Sequence, residues 1–383
     1  MTVINNPTGV PHFWFEKSGP TDQPLDVLVV RATFDFAQDG KAMTLAAVQT
    51  PLCMSDQITA PEQGSPLRAV VTEDGDLLAY KPGTDVLVTG QAVAPHAAPH
   101  TDWLAGIRLG PVRKMLHLHG PRRWHKNWLG WKVGPATPVT QVLLDYRLAY
   151  GGSVQIPAKL CADGQIGWVK HDSNPAGCGW LPDSKALKAL SKPARQYVEA
   201  WLGGQTSLQA PQILAVNCAL GDPQQPLASL GLSPTARWWA PRVGLQGTYD
   251  DAWQAQRCPL LPHDFNASYY QSASPDMVAR PHLVGNEMAT LIGLLGTDTH
   301  MQLPGWHLLA AAHYTSGEHS ISQLVLDTVR FDLDSRQASL VWRMHFDRSE
   351  RIEEISVAAT TQNVSPSGHS QPVQASAQES SIA

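Results

Sequence analysis

Charge is scarce in this chain. Asp, Glu, Lys and Arg together make up only 16% of 383 residues, and the formal net charge is −5. A nucleic-acid binder normally carries a broad basic face, so this balance argues against one. The one short basic stretch is "GPRRWHK". The five cysteines (Cys53, Cys161, Cys178, Cys218, Cys258) are odd in number and contain no C-x-x-C pair. That usage argues against a disulfide framework or a zinc ribbon and fits reduced thiols. No run approaches ~18 uninterrupted apolar residues, so no membrane-spanning helix is expected. The opening "MTVINNPTGVPHFWFEK" lacks a basic region followed by an apolar run, so no signal peptide is expected. These absences predict a cytoplasmic protein with no nucleic-acid partner and no membrane insertion.

Signatures of catalysis are missing as well. There is no G-x-S-x-G, no G-x-x-x-x-G-K-[ST] and no calcium-loop pattern. Neither an internal repeat of fixed period nor a coiled-coil heptad is present. "YGG" at Tyr150–Gly152 and "GNE" at Gly285–Glu287 read as turns or close backbone approach. Cys258 lies between Arg257 and Pro259, a neighbour that can lower a thiol pKa, but no base accompanies it.

What the chain does have is turn chemistry and β pattern. Gly and Pro number 30 each, which argues against long helices. "DVLVVRATFDFAQDGKAMTLAA" is β-branched and alternating, with a turn at Asp39-Gly40. "WLAGIRLGPVRKMLHLHGPRRW" reads as two strands joined at Gly110-Pro111. "VTQVLLDYRLAYGG" reads as another strand, and "ISQLVLDTVRFDLDSRQASLVWRMHF" as a hairpin turning near Asp334-Ser335-Arg336. "DSKALKALSKPARQYVEAWLGG" has helical spacing, with Asp183 or Ser184 as cap and Pro193 dividing it into two short helices. "YDDAWQAQR" is a short helix with an acidic start and a cationic end.

The fold class expected is mainly β: antiparallel sheets, sandwich- or barrel-like, with a few short helices and long Pro/Gly-rich loops. Four parts are expected. Residues 1–152 form a β-rich part and 153–236 a loop and short-helix region, with 153–183 loop-like. Residues 237–359 form a signature and hairpin part on the same body. Residues 360–383, rich in Ser, Gln and Pro, form a disordered tail.

Chemistry-bearing residues come in three groups. His117 and His119 form H-x-H on a strand, so both imidazoles face one side, as in half of a metal site. His96, His100 or His125 would be needed as a third ligand. In a chain with 15 histidines such a pair arises readily, and no metal or cofactor is assigned. Asp250, Asp251, Asp264 and Asp276 could serve a carboxylate- or metal-dependent hydrolase. Their positions also suit a helix start (Asp250, Asp251), an Asx turn (Asp264) and a Pro-led turn (Asp276), which is the reading preferred. The 13 tryptophans cluster at Trp124/Trp128/Trp131, Trp238/Trp239 and Trp253. With arginine they can anchor a protein interface or make a sugar-stacking platform, the basis of a carbohydrate-binding alternative, or they can simply fill the core.

The segment "RWWAPRVGLQGTYDDAWQAQRCPLLPHDFNASYYQSASPDM", Arg237 to Met277, resembles the signature of the domain of unknown function 2169 family. The matching positions are Arg237, Trp239, Pro241 and Arg242; Gly247, Thr248, Tyr249, Asp250 and Trp253; Arg257, Pro259, Leu261, Pro262, Asp264 and Phe265; and Ser274, Pro275 and Asp276. "VVRATF" at Val29–Phe34, "YKPGTDV" at Tyr80–Val86, "RRW" at Arg122–Trp124, "YGG" at Tyr150–Gly152 and "NPAG" at Asn174–Gly177 occur in the family's order. The "LDTVRFDLDSRQASLVWR" hairpin closes the pattern. Two stretches depart from it: the insertion around 184–207 and "LGLSPT" at Leu230–Thr235. The resemblance implies a bacterial type VI secretion adaptor or effector chaperone without enzymatic activity. Such a protein would bind an effector toxin or its PAAR-type tip domain for loading onto the VgrG spike. It carries over no functional residues.

Within the signature, Arg237, Tyr249, Asp250, Arg257, Asp264 and Asp276 are expected to brace the scaffold. Arg237, Arg242 and Arg257 are close enough in sequence to pair with Asp250, Asp264 or Asp276. Tyr249 and Trp253 are one helical turn apart and can share a support. Trp238, Trp239, Arg242 and Trp253 are the candidate partner-binding residues, with Trp238, outside the family pattern, the first to test.

Overall fold

A computed structural model describes every residue except 1, 20, 21, 60–65, 349 and 362–383. Nearly all of the expected tail lies outside the described residues. The frame is a seven-stranded sheet in the order His12–Ser18, Pro24–Asp35, Gln337–Asp347, Val325–Asp332, Thr84–Thr89, Val278–Ala279, with Thr44–Leu45 also paired to Pro24–Asp35. The ends of the sequence thus meet at its centre: Arg31 stands opposite Val341, and Val30 opposite Trp342. All its pairings are antiparallel except Val325–Asp332 with Thr84–Thr89, where Val329 faces Val86 in parallel register.

A strand alternates its side chains between two faces, and here both faces are covered. Along Pro24–Asp35, Leu28, Val30, Ala32 and Phe34 enter the main core, while Leu25 and Val27 join a satellite cluster with Ala79. A second, fully antiparallel sheet runs Ile213–Ala215, Val112–His119, Asp102–Leu109, Met288–Ile292, Thr299–Gln302. Its Ala105, Ile107, Leu109, Leu116 and Leu118 pack into the same core. A third, four-stranded sheet runs Val3–Asn5, Ile352–Thr360, His307–Tyr314, His319–Gln323. The protein is mainly β, as the pattern predicts, and no sheet closes into a barrel among the described residues.

The hairpins expected at Gly110-Pro111 and near Asp334-Ser335-Arg336 are present. So are both short helices, Ser184–Lys188 and Lys192–Gly203. The Asp183 side chain caps the first, and Pro193 lies in the first turn of the second. Other segments differ from expectation. Residues 153–183 are not all loop: Ser153–Ile156 and Gly167–Lys170 form a hairpin, and Cys178–Gly179 pairs in parallel with Tyr150–Gly151. Ile156 and Val169 of that hairpin make a small core of their own with Ala194 and Val198 of the second helix. "VTQVLLDYRLAYGG" is extended only at Gln141–Leu143 and Tyr150–Gly151, because the Asp145 side chain accepts from the Arg147 amide and caps a 3₁₀ turn.

Candidate functional site

The signature segment is consumed by internal contacts. Arg237 pairs with Asp56: Nη2 donates to Oδ1 at 3.0 Å, and Nε lies 2.9 Å from Oδ2. Trp239 is fully buried, its ring edge-on to Tyr146 at 5.4 Å. Arg242 is also buried. Its guanidinium donates to the carbonyls of Thr235 and Tyr269 and lies 5.8 Å from the Tyr269 ring centroid. Trp238 is half-buried against the main core. The Asp250 carboxylate caps the helix Asp251–Gln256 through the Trp253 amide at 2.8 Å. Trp253 donates its indole N–H to the Leu260 carbonyl and packs edge-on against Tyr249 at 4.6 Å.

Asp264 makes a long-range staple rather than an Asx turn. It accepts from the Thr248 amide at 2.9 Å and from the Thr248 hydroxyl at 2.7 Å, and these bonds hold its carboxyl below the usual range. Gly247 makes room for the staple: at φ +84°, a Cβ there would stand 2.7 Å from Pro262 and 2.9 Å from the Asp264 carboxylate. Asp276 pairs with Lys114 at 2.8 Å.

The arginine–aspartate pairings expected within the segment therefore do not form. Backbone amides and Lys114 occupy the carboxylates, while Arg237 and Arg257 reach out to Asp56 and Asp22 near the other end of the chain (Arg257 Nη2 to Asp22 at 2.6 Å). Trp239 and Arg242, expected as partner contacts, offer no surface. Burial of the indole and satisfaction of the guanidinium by carbonyls account for both.

Beneath the segment lies a feature that the sequence reading did not anticipate. Four stretches bring charged side chains together on one buried face of the seven-stranded sheet. Arg31 comes from "VVRATF", Lys81 and Asp85 from "YKPGTDV", and Asp327, Arg330 and Arg343 from the closing hairpin. Glu73, Asp74 and Asp76 come from the loop "TEDGD". Arg31 reaches Glu73 at 2.6 Å and Asp76 at 3.3 Å, and Arg330 reaches Glu73 at 2.6 Å and Asp74 at 2.5 Å. Lys81 bridges Asp74 at 3.1 Å and Asp85 at 2.8 Å, and Arg343 holds Asp327 at 3.1 Å.

Burial alone would raise the Asp74 carboxyl, but Lys81 and Arg330 overturn that and hold it far below the ordinary range. Burial would likewise lower Lys81, and Asp74 and Asp85 raise it instead. At Asp327 burial wins over Arg343 and the pKa rises. The signature segment docks on this layer: the Ser272 amide donates to Asp85 at 2.8 Å, and the Gln271 side chain donates to Asp85 at 3.0 Å. An alternating strand pattern assigns a charged residue to solvent, so only the fold shows that a loop covers this face.

The family model described as "uncharacterized protein conserved in bacteria (DUF2169)" matches residues 22–343. The chain belongs to the DUF2169 family. No curated protein and no solved structure matches it.

Two solvent-facing regions of this DUF2169 protein stand out among the described residues. The first is a cleft of about 440 Å³ lined by Arg68, Arg147, Gly152, Trp180, Trp201 and Leu208, among others. The family stretches "YGG" and "NPAG" form part of its wall. Buried Asn174 donates to the carbonyls of Tyr146 and Tyr150, and Gly151 fits against it so closely that a Cβ would lie 2.2 Å from the Asn174 carbonyl oxygen. Trp201 enters from the insertion outside the family pattern.

The second region is the hairpin Arg123–Asn127/Gly130–Val133, whose inner strand pairs with Ser207–Gln209 beside the cleft. Trp124 anchors its base, fully buried, and donates to the Gly221 carbonyl. The two-residue tip is Trp128-Leu129, 89% and 63% exposed. The Asn127 side chain accepts from the Leu129 amide, and Gly130 takes φ +112°, so the turn is built by its flanks.

The H-x-H pair sits at the end of Val112–His119. Its carboxylate neighbour is Asp102, on the adjacent strand, and His96, His100 and His125 are not in the cluster. Burial, with Arg122 and His117 adding, pushes His119 down to about 4, so its imidazole is neutral at pH 7. No helix among the described residues is long and apolar enough to cross a membrane.

Proposed function

We propose that this protein is a type VI secretion adaptor or chaperone. It binds an effector toxin, or the effector's PAAR-type tip domain, and assists loading onto the VgrG spike. The observation that carries the reading is the Trp128-Leu129 tip. Two-residue hairpin loops favour Asn and Gly, which supply the backbone angles. Here a tryptophan and a leucine occupy those positions, 89% and 63% exposed, so neither side chain is part of the core. Large exposed apolar side chains on a stiff support fit a role as anchors for a protein partner.

The cleft next to the tip supplies a second, more polar contact region. Its family-pattern wall suits a feature common to all cargo, and Trp201 from the insertion suits what differs. Because Asp250, Asp264 and Asp276 each have a structural partner, binding rather than carboxylate catalysis is the reading supported. The test is co-expression with a candidate effector toxin and a VgrG spike. A co-purifying complex, with toxin that is unstable or unsecreted in its absence, is the expected result. A toxin that stays stable and is secreted normally without this protein would overturn the proposal.

A further inference from the structure

We propose that Asp102, His117 and His119 form a mononuclear site for a borderline divalent transition metal, zinc(II) being the representative ion. The strand pairing brings them together. His119 stands directly opposite Asp102 in the antiparallel register, and His117 is two residues along the same strand. Directly opposed residues and i, i+2 neighbours share a face, so the backbone alone gathers all three side chains.

Their donor atoms lie within 4.8 Å of one another. His117 Nε2 is 3.6 Å and His119 Nδ1 is 3.9 Å from the same oxygen, Asp102 Oδ2. Both gaps are too long for a hydrogen bond. They are close to what one ion would span, since ligands with ~2.1 Å bonds to a tetrahedral centre stand ~3.4 Å apart. Small side-chain rotations close the difference.

The two imidazoles are pressed together, with centroids 4.1 Å apart and planes tilted by 34°, and no hydrogen bond joins them. His119 is 93% buried by side chain, and Nδ1 is the nitrogen it turns towards Asp102. Two imidazoles and a carboxylate thus face one another with no direct hydrogen bond between them. A cation between the donors gives them a common partner. Two imidazoles and one carboxylate are a ligand set for zinc and its first-row neighbours rather than for magnesium or calcium. Asp102 is half exposed, so an ion can enter from solvent, and water can complete its shell. Arg122, whose charge acts on His119 and on Asp102, opposes the ion. Micromolar rather than nanomolar affinity is therefore expected.

The untagged full chain, stripped with EDTA, is titrated with zinc(II) alone by calorimetry. One ion per chain is expected, together with zinc-induced shifts of the His117 and His119 ring resonances in NMR. Asp102→Asn and His117→Ala change a half-exposed and a partly buried position, and circular dichroism verifies their folding. Each is expected to weaken binding by about tenfold or more. His313 and His319 form another facing pair, with rings 6.2 Å apart, and His313→Ala is expected to leave binding unchanged. Absence of 1:1 binding to the wild type, binding that survives the Asp102→Asn/His117→Ala double change, or loss of binding on His313→Ala would overturn the proposal.

Discussion

Asp74 shows what single residues contribute. It is buried between Lys81 and Arg330, and its folded pKa lies below the unfolded value. A depressed carboxylate stabilises the fold above its unfolded pKa of ~3.9 and loses that contribution as pH falls. Asp327, raised by burial, has the opposite sign and offsets part of the loss. Urea titrations between pH 7 and pH 3 should show wild-type stability falling below about pH 4. Asp74→Asn should be less stable by ~3–5 kcal/mol at pH 7, because two buried cations lose a partner. Its acid limb should also be shallower, and an unchanged slope would show that Asp74 does not titrate with folding. The buried tryptophan is a second case. Trp239→Ala should cost ~3–5 kcal/mol through the cavity it leaves, with partner affinity unchanged in whatever fraction stays folded. Trp238→Ala should behave in the same way with a smaller loss, because its ring packs against the core. A calorimetric melt beside a pull-down separates stability from binding for both.

At the scale of elements, the helix Asp251–Gln256 depends on one cap, so Asp250→Ala should lower stability by ~1 kcal/mol, read as a shift in the urea midpoint. The hairpin tip has the reverse character. Trp128→Ala should leave the melting temperature unchanged, since the ring touches water rather than the core. The same contrast explains what could be read from the chain. The hairpins at Asp102–His119 and Val325–Asp347 carry apolar strand residues around turn residues, and Pro193 opens the second helix while Asp183 caps the first, so both were legible. His307–Tyr314 is "HLLAAAHY", without a β-branched residue, and its strand character comes from pairing with Ile352–Thr360. The parallel contact of Thr84–Thr89 with Val325–Asp332 joins residues more than two hundred positions apart, and no local pattern specifies it. Of the candidate residues, His117 and His119 were legible as a pair because i, i+2 spacing is local. Asp102 was not, because only the register of the neighbouring strand brings it there. Trp128 and Trp239 look alike in sequence, and tertiary burial alone tells the anchor from the core residue.

For the whole molecule, the buried ion network and the signature segment act as one brace. Strand Pro24–Asp35, the TEDGD loop and the closing hairpin meet on a single sheet face; Gln271 and Ser272 tie the signature to it through Asp85, and Arg237 and Arg257 tie it to the loop residues Asp56 and Asp22. A scaffold fixed in this way can hold a cleft and an apolar tip in a set geometry, which limits the ordering cost of binding. The most direct measurement is the affinity of the purified chain for a candidate type VI effector toxin, with wild type compared to the Trp128→Ala/Leu129→Ser variant at matched folding. The account predicts a wild-type complex that the variant weakens at least ~10-fold, the loss of one hot-spot anchor, while its melting temperature stays the same. No wild-type complex, or equal affinity in the variant, would contradict it.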